Sequence, residues 1–520
     1  MITREKLAID NKNKSDIRDI SFRDFVLQTK IYRIAIAVCF LAMIVQLFVF
    51  KYFYPYPSFI NGDSYEYLKS AFYNLKINTY PIGYAKFLRL FSVFFIGGDS
   101  LVVFQYFFTQ FSILWLMFSV FYFYNPNKII QMTLLGVMVT SPIFLYLANY
   151  ISSDSLFLGL SICWFTTLIW ILNRPSYRLW VFHSIFVCMA FIVRYNALYY
   201  PLISLVVVVL DRRNISLKVV GLVLMFGLIG MFVVFTSLQY KKLTGRIQFS
   251  PFSGWQMANN AMYAYKFVDP AKRKELPLKF HGLDKDVRAY FDTTRPFLNK
   301  FPEEMLWVST IYMWKPTSPL RIYMNRMHVG DTTFSEFRKW SEVAPLYNEY
   351  GIELMKTYPG VFVRMYLWPN LIKFYVPPVE FLSSYGYRVD SIPPVAMAWF
   401  DYKHNKAKTR FKDNHVSILE WYPNICGIMN AVFIMLSVSF FVLKGRRLDR
   451  KIFLLWIMYF LFWMTNIVFS VFASPIALRF QIFPLVLCTA INFVLLDFVL
   501  KGSGDQREET IKSDNQEVSI

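Results

Sequence analysis

The chain has 520 residues with 55 Lys and Arg against 34 Asp and Glu, a net charge of +21, yet it is 56% hydrophobic, 19% aromatic and only 17% charged. With a mean hydropathy of +0.37, this composition excludes a soluble globular domain and describes an all-α polytopic membrane protein. The positive charge forms no low-complexity basic tract, which excludes the usual nucleic-acid binder and leaves anionic lipid as its simplest partner.

The first thirty residues are polar and carry Arg4, Lys6, Lys12, Lys14, Arg18 and Arg23; residues 1–31 are read as a cytoplasmic segment. The apolar stretch from Ile34 to Phe50 is too long for a signal-peptide core and is read as a retained anchor. Further apolar runs predict spans near Leu101–Phe123, Ile129–Leu147, Leu156–Leu172, Leu179–Val193, Ala197–Leu210, Val219–Leu238, Ile425–Leu443, Ile452–Phe472 and Leu478–Leu500, about ten in all. The two short ones flank Arg194-Tyr195-Asn196 and read equally as one broken hairpin. Residues 32–238 thus form a transmembrane core with outer loops, 239–424 an α-rich exterior domain, 425–500 the C-terminal spans, and 501–520 a disordered cytoplasmic tail.

Basic residues in short loops mark the cytoplasmic side. With the N-terminus inside, the inner loops 125–128, 173–178, 211–218 and 444–451 all carry them, the last reading KGRRLDRK. The same threading puts the 61–67 loop, the Asn149–Ser155 turn and the long polar block outside. The five cysteines, Cys39, Cys163, Cys188, Cys426 and Cys488, fall in or at the edge of spans, so no disulfide is expected within the exterior domain. In that block Lys315, Arg321, Arg326, Arg364, Lys373 and Arg388 sit among aromatics, a surface for a lipid phosphate or ordinary snorkelling at headgroup level. The stretch VFVRMYLWPNLIKFYVPP after Gly360 is too short and too interrupted by Pro369 to span. It reads as an interfacial helix pair or as a core helix of the exterior domain.

The most informative cluster is Asn61-Gly62-Asp63-Ser64-Tyr65-Glu66-Tyr67, where the chain first leaves the bilayer. Asp63 is a candidate base there; the bland alternative is a cap for the helix that follows. No Walker loop, GxGxxG, HExxH or GxSxG pattern occurs, so nucleotide-driven transport, Rossmann cofactors and common hydrolase mechanisms lose their sequence support. The histidines have no metal spacing, and none is assigned a role.

Four further segments accompany the cluster: Thr79-Tyr80-Pro81-Ile82-Gly83-Tyr84, Ser152-Ser153-Asp154-Ser155 at the start of a span, Val193-Arg194-Tyr195-Asn196, and Ala477-Leu478-Arg479-Phe480 before a Pro484-containing span. In order, side and spacing these resemble the GT-C glycosyltransferases that use lipid-linked sugars, among them the bacterial protein-mannosyl and aminoarabinose transferases. Pro251 to Asn260 is also similar to a segment of bacterial relatives. The resemblance implies a GT-C-like fold and transfer of a sugar from a polyprenyl-phosphate donor to a lipid, glycan or protein acceptor. The expected setting is the periplasmic face of the bacterial inner membrane.

On that resemblance Asp63 is the base, and Asp154 orients the acceptor or sugar, unless Ser152, Ser153 and Asp154 simply cap the next helix. Arg194 and Arg479 become donor-phosphate ligands, the alternative being interface anchors. Tyr65, Glu66, Tyr195 and Asn196 join the substrate-binding set. Trp255, Gln256, Asn259 and Asn260 combine an aromatic surface with amides, as sugar recognition does, or form a buried polar network. The chain departs from the family where many members carry adjacent or alternate acids, because here Glu66 follows Asp63 by three residues. No metal is predicted and no cofactor is required; a divalent cation shared by Asp63 and Glu66 is the alternative. An envelope polysaccharide polymerase and a lipid-linked oligosaccharide transporter stay open as other functions.

Overall fold

The structure, a computed structural model, describes residues 20–60, 62–210, 215–300, 309–330, 334–388, 391–407, 409–411, 414–473 and 475–517. Of the basic residues named at the N-terminus, all but Arg23 lie outside the described residues, as do Asn61 and the first half of the 211–218 loop. Among the described residues the chain is helical, with only isolated bridges of extended structure. Eight helices among the described residues are long and apolar enough to cross a membrane, from Lys30–Phe53 to Leu478–Gly502, and the shorter apolar helices Tyr177–Val193 and Tyr195–Leu210 flank Arg194. The chain is an all-α polytopic integral membrane protein.

Burial shows why these helices suit a bilayer. On Lys30–Phe53 the side carrying Tyr32, Cys39, Met43, Leu47 and Phe50 is buried, while Ile34, Val38, Leu41, Val45 and Phe48 stand exposed. A helix apolar on both its packed and its open side is a lipid-facing helix. Ser153–Asn173 is the opposite case, buried along nearly its whole length and packed against Gly98–Tyr124, Tyr177–Val193 and the last helix. Its first turn is where the site forms. The five cysteines are free and buried.

The polar block 239–424, read from the sequence as exterior, is built on two helices, Pro251–Tyr265 and Glu336–Thr357. They can touch backbone to backbone because glycine lies at both closest points: a Cβ on Gly351 would sit 2.5 Å from the Met257 carbonyl carbon, and one on Gly254 would collide with the Ala344 carbonyl. Trp255, Met262, Phe280, Tyr347 and Tyr350 fill the core between them.

The stretch around Pro369 becomes Pro359–Phe362, a π-turn over Val363–Leu367, and Trp368–Tyr375. Pro369 has no N–H to give to the preceding turn, and a widened turn there is the expected response. Phe362, Tyr366, Asn370 and Phe374 are buried, while Val363, Trp368, Ile372 and Val376 form an exposed apolar side. That outward apolar side is what an interfacial helix requires.

Two boundaries differ from the sequence expectation. The helix Ile215–Thr244 runs six residues past Leu238 before the exterior block begins. The last helix continues to Glu517 where a disordered tail was expected. Its extension carries Glu, Gln, Lys and Arg and no proline, together with Gly502 and Gly504, and Asp497 and Lys501 pair at 2.6 Å across one turn at the junction.

Candidate active site

Two loops are stitched together before any charged group meets another. Ser58 N donates to Asn149 O at 2.9 Å and Ile151 N to Ser58 O at 2.9 Å, a short parallel pairing that Asn149 Nδ2 reinforces by donating to Ser58 Oγ at 3.2 Å. Gly62 then turns the chain at φ +87°, a left-handed value that suits glycine, and the helix Asp63–Phe72 starts at once. Ser64 Oγ accepts from Ile60 N at 2.8 Å and donates to Ile151 O at 2.7 Å. This pins the first turn of the Asp63 helix to the first turn of Ser153–Asn173. Asp63 makes no cap bond, since the N-cap position is Gly62. Ser152 is the cap of the second helix, accepting from Asp154 N at 3.4 Å.

The segment Tyr80 to Tyr84 has a physical reason at each position. Gly83 lies against the end of Tyr177–Val193 so closely that a Cβ would sit 2.6 Å from the Ile192 carbonyl. Tyr84 Oη donates to Gln105 Oε1 at 2.7 Å, and Gln105 Nε2 donates to Ala148 O at 2.7 Å. Tyr67 packs between Tyr80 and Tyr84 at 5.5 and 5.1 Å. Tyr80 hydrogen-bonds Asp63, and burial together with that carboxylate raises its pKa well above the usual phenol value, so it stays a neutral hydroxyl. Gly83→Val should overpack this junction and cost about 1–3 kcal/mol, read as a lowered Tm against Gly97→Val, where space is open enough for a side chain.

The charged groups converge at the ends of four helices. Arg479 Nη1 lies 3.0 Å from Asp63 Oδ2 and 3.3 Å from Asp154 Oδ2, and Arg194 Nη1 binds Asp154 Oδ1. Ser152 Oγ donates to Asp154 Oδ2 at 2.9 Å. Both guanidinium groups lie 4.6 Å from the Phe480 ring centroid, and Arg479 also lies 4.8 Å from Phe381. Two carboxylates are thus neutralised by two guanidinium groups between aromatic faces. Asp154 is 3% exposed and Asp63 20%, so Asp63 is the more accessible of the two carboxylates. Beside them a cavity of about 20 Å³, room for one water, is lined by Asp154, Arg194, Asn196, Arg479 and Phe480.

The structure thus brings together Asp63, Asp154, Arg194, Arg479 and Asn196. Others it places elsewhere. Glu66 accepts from Asn78 Nδ2 at 2.7 Å, Tyr65 is exposed with Lys69 over its ring, and Tyr195 packs on Phe249 at 4.7 Å. Trp255 donates to Trp340 O at 2.8 Å and stacks on its ring. Gln256 donates to Asn260 at 2.6 Å, Asn259 to Ser309 O at 3.0 Å and Asn260 to Phe472 O at 3.0 Å. Those four side chains hold the exterior block together and tie it to the Arg450–Ala473 span, the polar-network alternative of the sequence reading. No group of three His, Cys, Asp or Glu suited to a metal is found among the described residues.

The sequence reading missed Glu380. It follows Pro377-Pro378 in the left-handed region, φ +51°, a conformation uncommon outside glycine and asparagine. Its segment roofs the cluster: Leu478 N donates to Pro378 O at 2.8 Å, and Tyr150 Oη donates to Phe381 O and Ser384 O at 2.6 and 2.7 Å. Burial raises the Glu380 pKa, opposed by Arg479 and Lys373. The available signal was a first acid after Glu353, set in an apolar, proline-ended stretch at membrane depth.

Fold and site together define a polytopic membrane protein with a buried carboxylate–guanidinium cluster at one end of its spans. No protein-family model matches the chain, and no curated protein does. Two solved structures of ArnT from Cupriavidus metallidurans are similar to it. The one bound to undecaprenyl phosphate is 11% identical with a TM-score of 0.33, covering 90% of this chain and 78% of that one. The apo state is 13% identical with a TM-score of 0.32, covering 90% and 76%.

Proposed function

We propose that the chain is a membrane glycosyltransferase that moves a sugar from a polyprenyl-phosphate donor to an acceptor hydroxyl on a lipid, glycan or protein. The observation that carries this reading is Arg479 bridging Asp63 and Asp154 with Arg194 on the far side of Asp154. It unites, at one end of the spans, the four charged residues that the motif order singles out. The basic inner loops support an outward-facing site in the bacterial plasma membrane.

In this reaction the acceptor oxygen attacks the anomeric carbon, the bond from that carbon to the phosphate oxygen breaks, and polyprenyl phosphate leaves with its negative charge. The acceptor proton passes to Asp63. Guanidinium groups are suited to the leaving phosphate because they offer paired donors and keep their charge. Before donor binds, Asp63 is engaged by Arg479. A phosphate that draws Arg479 toward itself would free the carboxylate as a base when the hydroxyl must be deprotonated.

The test is transfer by purified protein in nanodiscs from a panel of radiolabelled polyprenyl-phosphate sugars to a membrane glycolipid extract, with and without EDTA. Donor-dependent product is expected. Product that survives EDTA fits arginine as the counter-charge, and loss with EDTA assigns a divalent cation to the carboxylates. Extension or movement of lipid-diphosphate oligosaccharides, with no turnover of any monophosphate donor, would replace this reading by a polymerase or a transporter.

A further inference from the structure

Lys266 is a buried lysine with no carboxylate paired to it among the described residues. It is 4% exposed and follows the helix Pro251–Tyr265. Its ammonium lies over the rings of Tyr263 and Phe267, 4.7 and 5.3 Å from their centroids. No carboxylate or other acceptor bonds its Nζ among the described residues. Ring faces attract a cation but do not replace the water it has lost.

Among the described residues, the charged group that acts on it is also a cation. Lys373, from Trp368–Tyr375, is the charged neighbour acting on it. Arg295, from His281–Lys300, donates to the Lys266 and Val268 carbonyls at 3.5 and 3.2 Å, and its buried Nε has no partner. The helices bearing the two lysines meet at one place, the end of the Arg450–Ala473 span. Asn260 Nδ2 donates to Phe472 O at 3.0 Å, Tyr366 Oη to the same oxygen at 3.2 Å, and Asn370 Nδ2 to Val471 O at 3.1 Å. Lys373 in turn feels the opposing charge of Glu380, which belongs to the roof of the other cluster.

From this placement we infer a second anion-binding site, where Lys266 and Lys373, with Arg295 beside them, receive a phosphate monoester at the seam between the exterior block and the spans. It is separate in its residues from the Arg194–Arg479 cluster. Its ligand is either free phosphate or the phosphate of a lipid headgroup presented at the membrane surface. Without the anion, burial and Lys373 push the Lys266 pKa down to about 7. Between that value and the ordinary lysine value of about 10.4 the unfolded chain binds the extra proton, so stability rises with pH across that window. A bound phosphate removes this dependence by holding the ammonium charged.

The experiment is thermal unfolding of the full chain in detergent with inorganic phosphate, with dioleoyl phosphatidic acid, or with dioleoylglycerol, which lacks the phosphate. Wild type should gain on the order of 2 °C at tenfold excess over Kd with a phosphate ligand and nothing with dioleoylglycerol. A gain with phosphatidic acid alone assigns a lipid headgroup; a gain with both assigns phosphate itself. Lys266→Met should lose the gain and start from an equal or higher Tm at pH 6, because it removes an uncompensated buried charge. Lys373→Met should weaken the gain, and Arg479→Met should keep it. No gain with either phosphate ligand overturns the inference, as does a gain kept by Lys266→Met and lost by Arg479→Met. The readout needs no turnover, so failure of glycosyl transfer leaves it standing.

Discussion

Asp63→Asn is expected to lower sugar transfer by about 100- to 10,000-fold, the usual contribution of a positioned general base, while the protein stays folded. Asparagine keeps the volume and the amide oxygen can still accept from Arg479, so what disappears is the capacity to take a proton. The cost to stability should be small because Asp63 is partly exposed at 20% and Arg479 retains Asp154 at 3.3 Å. Asp154→Asn provides the contrast. Asp154 is 3% exposed and bound by both arginines, so its loss leaves Arg194 without its carboxylate and Arg479 with Asp63 alone and should lower Tm as well as turnover. Single-turnover rates at saturating donor, measured beside thermal unfolding, separate the two. An Asp63→Asn protein that transfers sugar at the wild-type rate would remove Asp63 from the chemistry.

Much of this site is written in local pattern. The spans follow from apolar run length, since only a helix satisfies its own backbone in lipid. Asp63, Asp154, Arg194 and Arg479 stand out because each sits in a short polar motif at the end of an apolar span, in a fixed order along the chain. The Tyr80–Tyr84 segment was visible as a motif, but its reason, the approach of Gly83 to Ile192 and the bond from Tyr84 to Gln105, depends on residues far along the chain. Glu380 carried only a faint signal, a lone acid in an apolar stretch, because its interaction with Arg479 joins residues far apart along the chain. Asn259 and Asn260 show the complementary difficulty. An amide suited to a sugar hydroxyl is equally suited to a carbonyl, and the structure gives them the carbonyls of Ser309 and Phe472. Gly254 and Gly351 look unremarkable on paper until two helices are laid against each other.

Arg479→Met is expected to have the largest combined effect on stability and donor use. The side chain bridges two carboxylates and is itself nearly buried, and removing one member of a buried ion pair typically costs about 3–5 kcal/mol because the other charge is left without compensation. Arg194 still binds Asp154, which places the loss toward the lower end of that range. Donor binding should suffer separately. A charge-assisted bond contributes about 1.5–3 kcal/mol, so KM for a polyprenyl-phosphate donor should rise roughly 10- to 150-fold. Arg479→Lys restores the charge but presents a point cation that cannot span both carboxylates and a phosphate as a planar fork can, so partial rescue of Tm with a persistently raised KM is the expected pattern. The double variant Asp154→Asn with Arg479→Met should be less destabilised than the sum of the two single changes, because the second substitution removes the charge stranded by the first. Additive losses in that cycle, with an unchanged donor KM in Arg479→Met, would show that the guanidinium only anchors the helix end at the membrane surface.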